Sequence, residues 1–335
     1  MNQTMQAVPQ TIASPPPDWY APVASDLEEV ERILSQTLKS RYAQVQPVVD
    51  HVRHYRGKRL RPVLLLLTAR ACGKVTPAHH VLGAVVEMIH TATLVHDDVL
   101  DSASVRRHVP TVNAGWGVHN SILLGDYLFT HAFHLASTLD DVRACRLIGK
   151  ATNRVCEGEL CQGLERGNLD LTEAAYFDVI DGKTAELLAC ACQLGALFSG
   201  ASAEVVQALT RFGRNVGLAF QIADDLLDLI GDEQTTGKSL GTDLEQQKMT
   251  LPLIRVLQQG PKGLAERVRQ VLLAPDNHKR EALRPYLVEG DGIDYARRKA
   301  EELAGRARKE LACLPPSACR AILEAVTERV VHRSH

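Results

Sequence analysis

Two aspartate clusters, Asp97-Asp98-Val99-Leu100-Asp101 and Asp224-Asp225-Leu226-Leu227-Asp228, each close a largely apolar run, Val85 to Val95 and Val216 to Ala223. On a helix, the first and last aspartates of each cluster lie one turn apart on a common face. Carboxylates grouped in this way are costly to bury without partners, so the fold has to bring cations to them. One DDxxD alone reads better as a solvated acidic patch with a helix cap, since short acidic clusters are common. Two of them are a different matter, because Arg106 and Arg107 follow the first and Lys238 and Lys248 the second. Mg2+ takes hard oxygen ligands and commonly shares them between carboxylates and substrate phosphate. The doubled pattern therefore points to a metal–diphosphate site.

The rest of the chain reads as all-α. Of its 335 residues 45% are hydrophobic and 4% aromatic, with Ala, Leu and Val in helical spacing and little strand-like alternation. The expected fold is a single-domain antiparallel helical bundle around a central active-site cavity, with the two motifs facing each other across it. A net charge of −2 argues against a general nucleic-acid surface. The eight cysteines form no CxxC, so reduced core thiols are expected. Neither a secretory signal nor a transmembrane-length apolar run is visible, which makes a cytoplasmic location the expectation.

Residues 1–24 are polar and proline-rich and read as a flexible segment ahead of a helical domain at 25–335. Ser25 with Glu28 resembles a capping box. Pro62 suits the first position of a helix to residue 72, and Thr76-Pro77 opens the helix that runs through His90 into the first motif. Further helices are expected at about 119–139, 142–164, 172–199, 203–230 and 250–259, with a polar loop at 231–247.

Basic residues recur beside the acidic motifs: Lys58, Arg59 and Arg61 in RGKRLRP, then Arg106, Arg107, Lys183, Lys238 and Lys248. Arginine suits forked phosphate recognition and lysine serves as a mobile point charge. No GxSxG elbow, Cys–His pair or P-loop marks another chemistry. Metal held on a diphosphate improves it as a leaving group. An apolar helical wall would hold a hydrocarbon and exclude water.

These motifs carry a resemblance. GKRLRP (57–62), EMIHTATLVHDDVLD (87–101), RR (106–107), GDYLF (125–129), EGELCQG (157–163), KTAELL (183–188), FQIADDLLD (220–228) and GKSLGTDLEQQKMTLP (237–252) follow one another as in the trans-polyprenyl diphosphate synthases. The chain resembles that family from about residue 26 to 330. The resemblance implies a prenyltransferase that joins isopentenyl diphosphate to an allylic diphosphate (geranyl, farnesyl or geranylgeranyl). It also implies a homodimer built from helices of the 119–164 region, with about three Mg2+ ions bound beside the allylic diphosphate.

By the same resemblance Lys58, Arg61, His90 and Arg107 hold the isopentenyl diphosphate. Arg106, Lys183, Thr184, Gln221, Lys238 and Lys248 surround the allylic diphosphate. Asp97, Asp101 and Asp224 are the principal metal ligands, with Asp98, Asp225 and Asp228 as further ligands or supporting groups. Val86, Ile89, Ala92 and Thr93 precede Asp97 on the face that a growing tail would follow, and none is aromatic. In the resembled family a large aromatic there goes with short products, so the resemblance implies from small Ala92 and Thr93 a long product of about C30 to C50. Arg56 and His108 stand where the family commonly has glycine, and Ser102 where an acidic residue is frequent. Three other readings compete: a short-chain synthase, a phosphohydrolase built on His90, His96 and Asp97, and a silent subunit of a heteromeric synthase.

Overall fold

The computed structural model describes residues 18–55, 57–231, 240–275 and 278–331. Its first helices are α1 (Ala24–Thr37), α2 (Gln46–His51), α3 (Leu60–Cys72) and α4 (Pro77–Leu100). A two-residue hairpin follows, β1 (Val105–Arg106) with β2 (Val109–Pro110), the only strand pairing among the described residues. Next come α5 (Val112–Ser137), α6 (Val142–Leu164), α7 (Glu173–Ile180), α8 (Glu186–Phe198) and α9 (Ala203–Ile230). After α10 (Thr242–Glu245), the helices α11 (Leu251–Gln259), α12 (Leu264–Leu273), α13 (Lys279–Glu289), α14 (Gly292–Glu310) and α15 (Ala318–Val331) complete the bundle.

Two long helices set the architecture, and each ends in an aspartate motif. α4 packs against α1, α3, α5 and α8, and α9 against α8 and α14. Val85, Val86, Ile89, Ala92 and Val95 of α4 are fully buried. Each large apolar side chain sealed in this way contributes about 1.5–3 kcal/mol, so the motif rides on a rigid support. Thr76 caps α4 through a box in which His79, in place of the usual Glu or Gln, returns the bond: Thr76 N–H donates to His79 Nδ1 at 2.9 Å.

Several expected boundaries move. Residues 18–23 form a 3-10 turn with Tyr20 and Val23 buried in the core, so the segment expected to be flexible to residue 24 is packed at its end. Ser25 does not cap α1, which begins at Ala24 without a side-chain cap, because the chain enters already in that turn. α3 starts at Leu60, placing Pro62 third in the helix, still within the turn whose N–H groups have no intrahelical acceptor. α5 starts at Val112 and kinks at Gly117 (φ 80°), which accounts for reading its start at 119. The helix expected over 172–199 is split by a π turn, Asp181–Ala185. The loop expected at 231–247 contains α10. Cys190, Cys192 and Cys319 are buried and Cys72 and Cys145 pack half-buried against the core, whereas Cys156, Cys161 and Cys313 are exposed and depart from the expected core location.

Candidate active site

The middle aspartate of each motif turns into the protein. Asp98 is fully buried and accepts from Tyr55 Oη at 2.7 Å and Arg106 Nε at 2.7 Å. Tyr55 Oη in turn accepts from Val112 N at 2.9 Å, tying the start of α5 to the motif. Burial, with Asp98 beside it, pushes the Tyr55 hydroxyl far up, so it stays a donor. Asp225 repeats the arrangement: Tyr176 Oη donates at 2.6 Å and Gln221 Nε2 at 2.8 Å, while Thr184 Oγ1 donates to Gln221 Oε1 at 2.8 Å. Burial, reinforced by Asp224 and Asp228, pushes Asp225 up to about 6 against the two hydrogen bonds. Each motif is thus pinned by a tyrosine from an earlier element.

Asp228 has another task. Its carboxylate accepts from Gly241 N (3.1 Å), Thr242 N (3.2 Å), Thr242 Oγ1 (3.0 Å) and Asp243 N (3.1 Å), which caps α10. Asp98, Asp225 and Asp228 therefore have oxygens that accept from protein donors, which fits the supporting role that the resemblance leaves open for them beside a ligand role. Asp97, Asp101 and Asp224 are only partly buried. Burial pushes Asp97 up to about 6, with Lys183 pulling it down and Glu159 and Asp101 pushing further up.

Lysines stand between the two motifs. Lys183, in the π turn, reaches Glu159 at 2.6 Å and Gln162 at 2.7 Å. Burial alone would lower its pKa, but Asp97, Glu159 and Asp101 outweigh burial and raise it, so the ammonium stays charged. This contact requires α6 to lie against the π turn. A Cβ at Gly158 would sit 2.4 Å from Lys183 N, which gives the first glycine of EGELCQG its purpose. Lys248 Nζ lies 3.8 Å from Asp101 and 3.7 Å from Asp243, spanning both halves. Lys238 lies outside the described residues.

The second cation group gathers behind the first motif. Arg61 is half-buried, its Nε lacks a hydrogen-bond partner, and burial with Arg107 alongside brings it down to about 10. His90 is held far below its usual pKa by burial and by Arg61, Arg107, Arg106 and Arg59, so it is a neutral imidazole among guanidinium groups. Arg107 donates to the Tyr55 carbonyl and lies against Gly57, where a Cβ would meet its guanidinium at 2.5 Å. Lys58 is exposed on the loop before α3. Arg59 does not join this group: Glu31 (2.5 Å) and Glu87 (2.6 Å) hold it as a structural pair.

A pocket beside the second motif is lined by Gln162, Tyr176, Lys183, Gln221, Asp243 and Lys248 among others. Val86, Ile89, Ala92 and Thr93 do not line it. Val86, Ile89 and Ala92 are sealed in the core, and Thr93 is half-buried with its hydroxyl donating to the His90 carbonyl at 2.8 Å. A tail following α4 has to part that packing rather than enter an open tunnel. Asp243 was missed from the sequence, although it stands five residues before Lys248 inside a quoted motif. Burial and the neighbouring Asp225 and Asp228 push it up to about 8.

Among the described residues no three His, Cys, Asp or Glu side chains lie close enough to hold a metal by themselves. The oxygen donors are divided between two motifs, which fits an ion that completes its shell with substrate phosphate and water. His96 bonds the Ile122 carbonyl at 3.1 Å, directed to α5 rather than to His90, which removes the basis for the phosphohydrolase reading.

The family model for polyprenyl synthetases matches residues 43–288. The chain belongs to that family. It is 36% identical over 317 residues to an all-trans-nonaprenyl-diphosphate synthase (geranyl-diphosphate specific) of Rhodobacter capsulatus, covering 94% of this chain and 97% of the relative. A decaprenyl diphosphate synthase from Rhodobacter capsulatus superposes with a TM-score of 0.88 at 35% identity, covering 95% of this chain and 98% of that one. A polyprenyl synthase from Caulobacter crescentus, complexed with calcium and isoprenyl diphosphate, gives 0.87 at 34% identity, with 95% and 98% covered. The protein is accordingly an all-α prenyltransferase.

Proposed function

We propose that this prenyltransferase condenses isopentenyl diphosphate with an allylic diphosphate, with Mg2+ as cofactor, to give an all-trans polyprenyl diphosphate of about C30 to C50. The observation that carries the reading is the pair of tyrosine-pinned aspartate motifs with Lys183 and Lys248 between them and the Arg61–His90–Arg107 group alongside. Asp97, Asp101 and Asp224 would hold the metal. Bound there, Mg2+ neutralises charge that develops on the departing diphosphate oxygen. Lys183, Lys248, Arg106 and Lys238 supply positive charge to the allylic diphosphate, and Thr184 and Gln221 keep the second motif in register beneath it.

Arg61, Arg107 and Lys58 take the diphosphate of isopentenyl diphosphate. His90, neutral at pH 7, contributes a hydrogen bond and no charge. Ionisation of the allylic substrate leaves an allylic cation, the isopentenyl double bond attacks it, and the adduct loses a proton to the released pyrophosphate. The apolar faces of α4 and α9 keep water from the cation.

The long product rests on Ala92 and Thr93 and on the nonaprenyl and decaprenyl relatives. A homodimer is supported by the apolar residues that α5 and α6 leave exposed: Val118, Ile122, Leu123, Leu160 and Leu164. No described helix is long and apolar enough to cross a membrane, which is compatible with the proposed cytoplasmic setting. The test is pyrophosphate release from farnesyl and isopentenyl diphosphates with Mg2+, followed by measurement of product length. Asp97→Ala and Asp224→Ala should each lose nearly all turnover with unchanged melting curves. Near-parental activity in either variant would remove the two-motif mechanism, and a product stopping at about C20 would replace the long-chain reading with a short-chain one.

A further inference from the structure

We propose that Arg166 is a further substrate-binding residue, an additional cation for the allylic diphosphate beside Lys183, Lys248, Arg106 and Lys238. The inference rests on the function proposed above and extends it to a residue outside every quoted motif. Arg166 follows the C-terminus of α6, in a turn closed by Asn168 N–H donating to the Glu165 carbonyl at 3.1 Å. Gly167 holds a left-handed φ of 73° in this turn, a conformation that costs an L side chain about 1–2 kcal/mol. Its N–H donates to the Gln247 carbonyl at 2.9 Å, and one residue on, Lys248 N–H donates to the Asp243 carbonyl at 2.8 Å. The turn after α6 and the segment after the second motif are thereby joined through their backbones.

Arg166 and Lys248 converge from these joined segments on one carboxylate. Arg166 Nη2 is 3.4 Å and Lys248 Nζ 3.8 Å from Asp101 Oδ1. The Arg166 contact is long and single, and among the described residues it is the only polar contact of that side chain. A guanidinium carries five N–H donors, and one of them is used here. The side chain is 34% exposed, so its position beside Asp101 is held by the turn and not by burial. A divalent ion on Asp101 competes for the same oxygen. With Asp101 engaged by a cation, the Arg166 guanidinium would be free to turn to a diphosphate in the cleft, and its planar fork matches two phosphate oxygens. Pairing with Asp101 keeps Arg166 at the cleft until substrate arrives.

The test compares Arg166→Gln and Arg166→Lys with the parent chain at saturating Mg2+, reading KM separately for farnesyl and isopentenyl diphosphates and the inhibition constant of inorganic pyrophosphate. Arg166→Gln should raise the farnesyl diphosphate KM and the pyrophosphate constant about tenfold, the size of one charge-assisted bond at a half-exposed site. The isopentenyl diphosphate KM should stay within about twofold, and Arg166→Lys should recover most of the loss. An unchanged farnesyl diphosphate KM, with an active parent, overturns this inference alone. A change confined to the Mg2+ concentration giving half-maximal rate also overturns it, since Arg166 would then only balance Asp101. A parent that releases no pyrophosphate from any allylic primer takes down the functional reading and this inference together.

Discussion

Replacing Tyr176 by Phe removes one oxygen atom and tests how the second motif carries its charge. The Tyr176 hydroxyl donates to Asp225 Oδ2 at 2.6 Å, and Asp225 is 6% exposed. A hydrogen bond to a buried charged acceptor contributes about 1.5–3 kcal/mol, and about 1.4 kcal/mol corresponds to one pH unit. Asp225 stands at about 6 with the bond in place, so its loss should carry the carboxyl to roughly 7–8. Asp225 in the folded chain already holds its proton more tightly than an unfolded carboxyl does, and its ionisation therefore costs stability as pH rises from about 4 to 6. In the variant that loss should continue up to about pH 8.

Two readouts follow from the sign. At pH 5, where Asp225 is protonated in both proteins, Tyr176→Phe should be within about 1 kcal/mol of the parent in denaturant unfolding. At pH 8.5 the deficit should grow to about 1.5–3 kcal/mol. In the pH profile of kcat/KM for pyrophosphate release, the acid limb should move alkaline by about one to two pH units, because the motif must be ionised to hold a cation. An unmoved acid limb together with the same destabilisation at both pH values would refute the assignment of Asp225 as a tyrosine-supported charge.

Ala92→Phe places a ring where the parent has a fully buried methyl group on α4; it should shorten the product seen by chromatography at a stability cost of about 1–3 kcal/mol, and an unchanged product length would overturn the ruler. His108 occupies the left-handed region (φ 64°) in the turn between β1 and β2, as does Arg107 (φ 51°). His108→Gly should therefore stabilise the chain by about 0.5–1 kcal/mol, visible as a rise of about 1–3 °C in melting temperature, and a fall would show that the imidazole makes compensating contacts. Asp97, pushed up to about 6 by burial, must lose its proton before a cation can replace it. Mg2+ should accordingly raise the melting temperature more at pH 8 than at pH 5.5, with chelation reversing the effect, and equal shifts at both pH values would remove Asp97 from the metal site.

Helical periodicity is local, and so the sequence by itself determined the all-α class, the long apolar supports α4 and α9, and the aspartates one turn apart at their ends. The same locality made the cation clusters visible, because Arg61, His90, Lys183 and Lys248 lie in contiguous motifs. What a buried polar group pairs with is not local. Tyr55 meets Asp98 across 43 residues and Tyr176 meets Asp225 across 49, so only the packed bundle could show which donors these aspartates accept from. Arg59 and Arg61 are two residues apart and look alike in sequence, yet Glu31 and Glu87 pair with the first and leave the Nε of the second without a hydrogen-bond partner. Asp228 was diverted to cap α10, and Arg166 was drawn to Asp101 by a turn stapled 80 residues further along the chain, to Gln247. In each case the cost of burying an unpaired charge selects the partner, and that cost arises only when tertiary packing removes water.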